Sequence, residues 1–357
     1  MKKIVIACDS YKGCLSSSEV SDAVAEGVSE AYPDCEVVRL AVADGGEGTV
    51  EALVDTLGGH LEWAEVSDPL GRPVRAAYGV AGDLAIIESA AACGLTLLSK
   101  EERNPLIATT KGLGELILAA VDKGCRRFLI GLGGSATNDG GMGMIGAEGF
   151  LEKTRGLQFT IACDVDTPYI GKNGASRVFG PQKGASVQDV EVLEERLRGY
   201  ALKISEDTGI DVSDMPGAGA AGGLGGAFWA YLGAELKRGV DLVLDQIGFD
   251  SVIAGADLVI TGEGCSDYQT LKGKTAVGVL ERAERLNIPV ALVSGAVRDE
   301  KMLRDRGFRI VEAVTPPSMS LEEAMRPETS KHLVAVATRN ILHQFCIYYR
   351  VLHMRNH

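Results

Sequence analysis

The sequence predicts a two-domain α/β protein. One domain is a doubly wound, flavodoxin/Rossmann-like parallel sheet built from both ends of the chain, and the other is an inserted α/β (α+β) unit. Three observations carry this. Short β-branched runs alternate with helix-period segments at the start of the 357-residue chain, the rhythm of a largely parallel sheet. From about His60 to Ala92 the texture changes to shorter strand-like runs joined by Gly, Pro and Asp turns. The βα rhythm then returns between Asp257 and Val314. The implied boundaries are 1–60 with 235–357 for the discontinuous domain and 61–234 for the insertion.

Taken in order, Lys3–Ala7 reads as the first strand. Ser16 with Glu19 forms a capping box for a helix reaching about Ala31, with Val20, Ala23, Val24 and Val28 on its inner face. Glu36–Leu40 is the second strand. Leu61–Val66, Val74–Val80 and Leu84–Glu88 are the short strands of the insertion. A helix over Gly114–Asp122 leads to a strand at Phe128–Ile130, and Phe159–Cys163 is a further strand. Val190–Glu206 has the charge and period of an amphipathic helix with one solvated face. Strands at Asp257–Ile260, Pro289–Val293 and Arg309–Val314, with a helix over Thr275–Leu286, complete the parallel sheet.

An apolar fraction of 46% supports a sizeable core, and a net charge of -13 argues against nucleic acid or an anionic membrane as partner. It leaves an anionic small molecule open, because local lysines and amide dipoles reverse the field inside a cleft. The eight cysteines are dispersed without a CxxC pair, which fits reduced thiols in a cytoplasmic protein. The N-terminus resembles a signal peptide only in its two lysines, and no segment has the length of a membrane span. Assembly stays open, a homodimer included.

Five polar, glycine-rich clusters carry the chemistry, most of them at strand ends, where open α/β sheets bind ligands. Asp9-Ser10-Tyr11-Lys12-Gly13 follows the first strand, with an acid and a lysine suited to a metal or base and a phosphate. Asp44-Gly45-Gly46-Glu47-Gly48-Thr49 follows the second; its carboxylates suit Mg²⁺, or else a helix start. The third, Gly131–Asp139, places Gly133, Gly134, Ser135, Thr137, Asn138 and Asp139 after a strand, a pattern for anionic oxygens. It fits the GxGxxA form of the dinucleotide fingerprint but lacks an acidic partner after the next strand. Pro216–Gly225, with Gly217 and Gly219, reads as a loop over phosphates or as a packing device. The fifth, Thr261-Gly262-Glu263-Gly264 with Asp267 and Lys274-Thr275, resembles a metal-and-phosphate site. It is no Walker A loop, because Tyr268 stands where that motif requires glycine. Zinc and serine-hydrolase signals are lacking. Acids, lysines and glycine turns together are the parts of phosphoryl transfer.

The strings CDSYKG, ADGGEGT, GLGGSATNDGG, ACDVD, FGPQKGA, PGAGAAGGLG and the TGEG-to-GK segment occur in the order seen in class I glycerate kinases. The chain resembles that family from Lys3 to about Asn340. The resemblance implies a bacterial-type enzyme that moves the γ-phosphate of ATP to D-glycerate, most often giving 2-phosphoglycerate, in a cleft between two domains. It places Asp9, Lys12, Asp44, Glu47, Ser135, Thr137, Asn138, Asp139, Asp164, Lys183, Glu263, Asp267 and Lys274 on matching motifs. Asp44, Glu47, Glu263 and Asp267 are the candidates for Mg²⁺, and Lys12, Lys183 and Lys274 for phosphate or carboxylate charge. Asp9 or Asp164 would accept the hydroxyl proton. Another small hydroxy acid as acceptor, or a catalytically impaired binding relative, are the competing readings.

Four departures from the family pattern stand out. Cys8 replaces a proline, and Cys265-Ser266 replace an arginine and an aliphatic residue, so a fixed bidentate donor is lost. The segment from Phe150 to Phe159 is short. The basic, aromatic tail after Phe345 does not match the usual ending.

Overall fold

The computed structural model describes residues 1–46 and 48–355, without the side chains of Lys272 and 348–355. Among the described residues, eleven strands form two sheets: β1 (Lys3–Cys8), β2 (Glu36–Ala41), β3 (His60–Ser67), β4 (Pro73–Ala81), β5 (Leu84–Glu88), β6 (Arg127–Gly131), β7 (Gln158–Ala162), β8 (Glu235–Lys237), β9 (Leu258–Ser266), β10 (Val290–Val297) and β11 (Ile310–Ala313). The chain divides into two compact units, residues 1–44 with 240–357 and residues 45–239.

The first unit holds an all-parallel sheet in the order β11-β10-β9-β1-β2. Counted along the unit this is the flavodoxin order 2-1-3-4-5, whose switch point lies between β1 and β9. Ile4 to Cys8 are fully buried, as a strand covered on both faces requires. The capping box forms as the sequence indicates: Ser16 Oγ accepts from the Glu19 N–H, and Glu19 accepts from the Ser16 N–H. Val20, Val24 and Val28 of helix Ser17–Ala31 pack with Ile4, Ile6, Leu258 and Ile260.

A long helix, Pro327–Arg355, lies against helix Ser17–Ala31 and carries Val334, Ile341 and Phe345 into the same core. Gly27 permits this approach, since a Cβ there would stand 2.5 Å from the Ala335 carbonyl. Helix Thr275–Arg285 packs on β1, β9 and β10.

The second unit is a mixed sheet in the order β3-β4-β5-β6-β7-β8, antiparallel through β3, β4 and β5 and parallel from β5 onward. Helix Thr49–Leu57 packs on β4 and β5, so residues 45–60 fold with this unit. Its core stacks Phe128 on Phe159 at 4.7 Å between ring centroids, with Phe228 beside them. Among the described residues, no helix is long and apolar enough to cross a membrane. All eight cysteines are free thiols.

Candidate active site

In the first unit the switch point gathers five of the expected residues. Asp9 is the first residue past β1, and its N–H continues the ladder to the Gly262 carbonyl of β9 at 2.9 Å. Its buried carboxylate accepts from the Thr275 hydroxyl at 2.6 Å and from the Ser10 N–H at 2.7 Å. Burial first, and then the Asp44 charge, push its pKa up to about 6, against the pull of those two bonds and Lys12. Thr275 belongs to the fifth cluster of the sequence, but its bond to Asp9 joins two clusters 266 residues apart and is set by the fold.

Glu263, near the end of β9, accepts from Thr270 Oγ1 at 2.5 Å and Ser266 Oγ at 3.0 Å, and Lys274 Nζ lies 3.5 Å from its other oxygen. Glu263 therefore fixes the turn into helix Thr275–Arg285 and aims Lys274. The unusual Ser266 has a clear task, since its buried hydroxyl also meets Ser294 Oγ at 2.6 Å. Asp267 sits on the same turn, where Oδ1 takes the Gln269 N–H at 2.8 Å.

Asp9, Lys12, Asp44, Glu263, Cys265 and Lys274 line one cavity of about 460 Å³, and Asp267 is not among its lining residues. No three His, Cys, Asp or Glu side chains among the described residues converge into a metal cage. Mg²⁺ does not need one, because it uses one or two carboxylates with substrate phosphates and water. Glu47 lies outside the described residues.

The second unit holds the others. Lys183 is buried and donates to Ser135 Oγ at 3.0 Å and the Thr137 carbonyl at 2.6 Å. Among the described residues no carboxylate pairs with it at ion-pair distance. Asn138 Nδ2 donates to Ser176 Oγ at 2.9 Å, while Thr137 Oγ1 and Asn138 Oδ1 are buried without a partner among the described residues. Gly133 and Gly134 are the exposed part of this turn. Asp139 accepts from Thr110 N at 2.8 Å, Thr110 Oγ1 at 2.9 Å, and the N–H groups of Gly141 and Gly143 at 3.1 Å each.

Asp164 is exposed and accepts from the Gly239 N–H at 2.8 Å. Gly217 and Gly219 are packed against the chain itself; a Cβ on Gly219 would stand 2.1 Å from the Pro168 carbonyl. Further along, Gly222 adopts φ +72 and a Cβ there would stand 2.2 Å from the Thr137 carbonyl. The glycine run thus lets helix Ala220–Leu232 meet the 137–140 turn at backbone contact.

Glu88 escaped the sequence reading. It ends β5, pairs in register with Gly131, and takes the Val50 N–H at 3.1 Å, with the N–H groups of Gly48 and Thr49 also bonded to its carboxylate. Burial pushes its pKa up against those bonds. It serves helix Thr49–Leu57 as a cap from another element. An acid as the last residue of a buried strand was the only signal.

Lys183 yields a pH-dependent expectation. Burial drives its pKa down to about 8, below the ordinary lysine value of about 10.4. The unfolded chain therefore holds more protons between these values, and the penalty of burying the charge is full below pH 8 and relieved towards pH 10.5. The relief amounts to about 3 kcal/mol. In urea denaturation from pH 7 to pH 10, the stability of the parent relative to Lys183→Met should rise by about that amount. Taking the difference removes the common titration of tyrosines and cysteines. A flat difference would show that Lys183 carries no burial penalty.

An α/β unit that presents acids and lysines together at the carboxyl edge of its parallel sheet has the parts of a phosphotransferase. The glycerate kinase family model matches residues 4–156 and 147–346. The chain is 43% identical to a glycerate kinase of Bacillus subtilis, over 90% of this chain and 92% of the relative. It is 42% identical to a glycerate 2-kinase of Escherichia coli, over 95% and 97%. A crystal structure assigned as glycerate kinase 2 from Salmonella typhimurium LT2 superposes with a TM-score of 0.86 at 41% identity, covering 98% of this chain and 99% of that one. The chain belongs to the glycerate kinase family. The family match divides where helix Phe150–Lys153 runs into β7, within the segment that reads as shortened.

Proposed function

We propose that this chain transfers the γ-phosphoryl group of ATP to D-glycerate and that 2-phosphoglycerate is the product. The observation that carries the reading is the switch-point cavity, where Asp9, Asp44, Lys12 and Lys274 converge at the carboxyl ends of β1, β2 and β9. Phosphoryl transfer asks a protein chiefly for positioning and charge neutralisation, and that set supplies both. The 2-position is supported by the name of the Escherichia coli relative. Asp44 beside Asp9 is a like-charge pair that a divalent cation would relieve, which suits Mg²⁺ held by Asp44 together with phosphate oxygens. Mg²⁺, when bound, neutralises phosphate charge.

Asp9 is assigned as acceptor of the glycerate hydroxyl proton. A carboxylate with a pKa near 6 is still ionised at neutral pH and is a better proton acceptor than an ordinary aspartate. Asp164, the other candidate, is exposed. Lys274, aimed by Glu263, would meet phosphate oxygens, and Lys183 would act from beneath the Ser135–Asp139 turn.

Phosphorus NMR with ATP, Mg²⁺ and D-glycerate, against controls lacking acceptor, tests the reading. A 2-phosphoglycerate signal is expected; a 3-phosphoglycerate signal would revise the regiochemistry. Absence of any product from folded, ATP-binding protein would overturn glycerate as acceptor. Lys274→Ala should lower kcat by about 100-fold with little change in stability, the scale of losing one charge-stabilising donor. Asp267→Asn keeps the acceptor of its turn, so a fall in its kcat at unchanged melting temperature would mark a chemical role.

A further inference from the structure

The cavity that holds Asp9 and Lys274 has a second, apolar end. Val314 follows β11, and Met319, Leu321 and Met325 continue its wall. Leu321 is 70% exposed and Met325 37% exposed, although both border a cavity rimmed elsewhere by acids and lysines. Large apolar side chains left open beside a polar pocket mark a ligand surface. On the kinase reading above, one substrate has this same division: a charged triphosphate at one end and a flat, weakly polar base at the other.

We infer that the apolar end seats the purine base of the donor nucleotide, between Val314 and the Met319–Met325 segment, with the triphosphate directed to Lys12 and Lys274. Methionine thioethers pack on aromatic faces and adapt to their outline. Among the described residues at this end, side-chain hydrogen-bonding capacity comes from the hydroxyls of Thr315 and Ser330 and from the Cys14 thiol, which is already turned to the Met325 carbonyl at 3.2 Å, and a hydroxyl both donates and accepts. A base held mainly by apolar contact is poorly discriminated, because strong rejection requires polar groups built for one pattern. GTP should therefore serve as donor within about 10-fold of ATP in kcat/KM.

The test combines photolabelling and kinetics. Ultraviolet irradiation with 8-azido-ATP, followed by peptide mapping, should place the label between residues 314 and 330 and should be competed by ATP and GTP alike. Leu321→Ser and Met325→Ala, both on exposed positions, should raise KM for ATP several-fold more than KM for glycerate. Label confined to other segments, with KM for ATP unchanged in both variants, would overturn the base site while leaving glycerate kinase activity standing. Label at 314–330 in protein that fails to phosphorylate glycerate would support the base site and sink the acceptor instead. A GTP preference ratio beyond 1,000-fold would overturn the claim that contact alone reads the base.

Discussion

Asp9→Asn should lower kcat by about 1,000-fold and at the same time make the metal-free protein more stable at neutral pH. The two effects have one origin. Asp9 is buried at the switch point, and burial with the Asp44 charge lifts its pKa to about 6. The folded chain therefore binds this proton more tightly than the unfolded chain. The penalty is absent below about pH 4, builds as pH rises to 6, and is full above that, at about 3 kcal/mol. Asparagine keeps the shape and an oxygen for Thr275 but carries no charge, so a gain of about 1–2 kcal/mol should remain at pH 7 after the loss of charge-assisted bonding. Thermal melts of parent and variant at pH 7 and pH 4, without divalent metal, would read this directly. The variant should melt higher at pH 7 and no higher at pH 4. A variant that is inactive and also less stable at pH 7 would mean that the carboxylate is a structural anchor, and the proton-acceptor assignment would then lose its support.

The parallel sheet was legible because its inner strands β1, β9 and β10 carry apolar, buried runs and its first helix carries a complete capping box. Asp9, Lys12, Asp44, Glu263 and Lys274 could be grouped from the sequence because each lies at or beyond the end of a strand of the parallel sheet, and the topology brings those carboxyl ends to one cavity. Less visible was helix Pro327–Arg355, whose early turns are charged and whose apolar face is defined by Gly27 and helix Ser17–Ala31, far away in sequence. Helix Thr49–Leu57 was visible only as the alternative helix start at the Asp44–Thr49 cluster, for a related reason: its cap is Glu88, from another strand. Local reading finds caps that lie three residues away and misses those supplied by the fold. The same limit applies to Glu263. Its carboxylate alone resembles a metal ligand, and only the approach of Ser266, Thr270 and Lys274 shows that it organises a turn.

Asp139→Ala should cost about 4 kcal/mol or more of stability, among the largest effects of any single change here. The strand-to-glycine-turn pattern around Ser135 predicts a place where backbone N–H groups await an anion, and at the helix starts next to that turn Asp139 is such an anion. Asp139 collects the N–H and hydroxyl of Thr110 at the start of helix Lys111–Asp122, and the N–H groups of Gly141 and Gly143 at the next short helix. Thr110 Oγ1 passes the connection on to the Met144 N–H at 3.0 Å. Removing the carboxylate takes the acceptor from several buried donors at once, each costing about 1–3 kcal/mol. Asp139→Asn restores one oxygen but sets an amide NH₂ against remaining donors, so it should fall between parent and alanine in urea denaturation. If alanine and asparagine cost the same, and under about 1 kcal/mol, Asp139 is not the anion these helix starts require, and an external phosphate or carboxylate regains its claim on the turn.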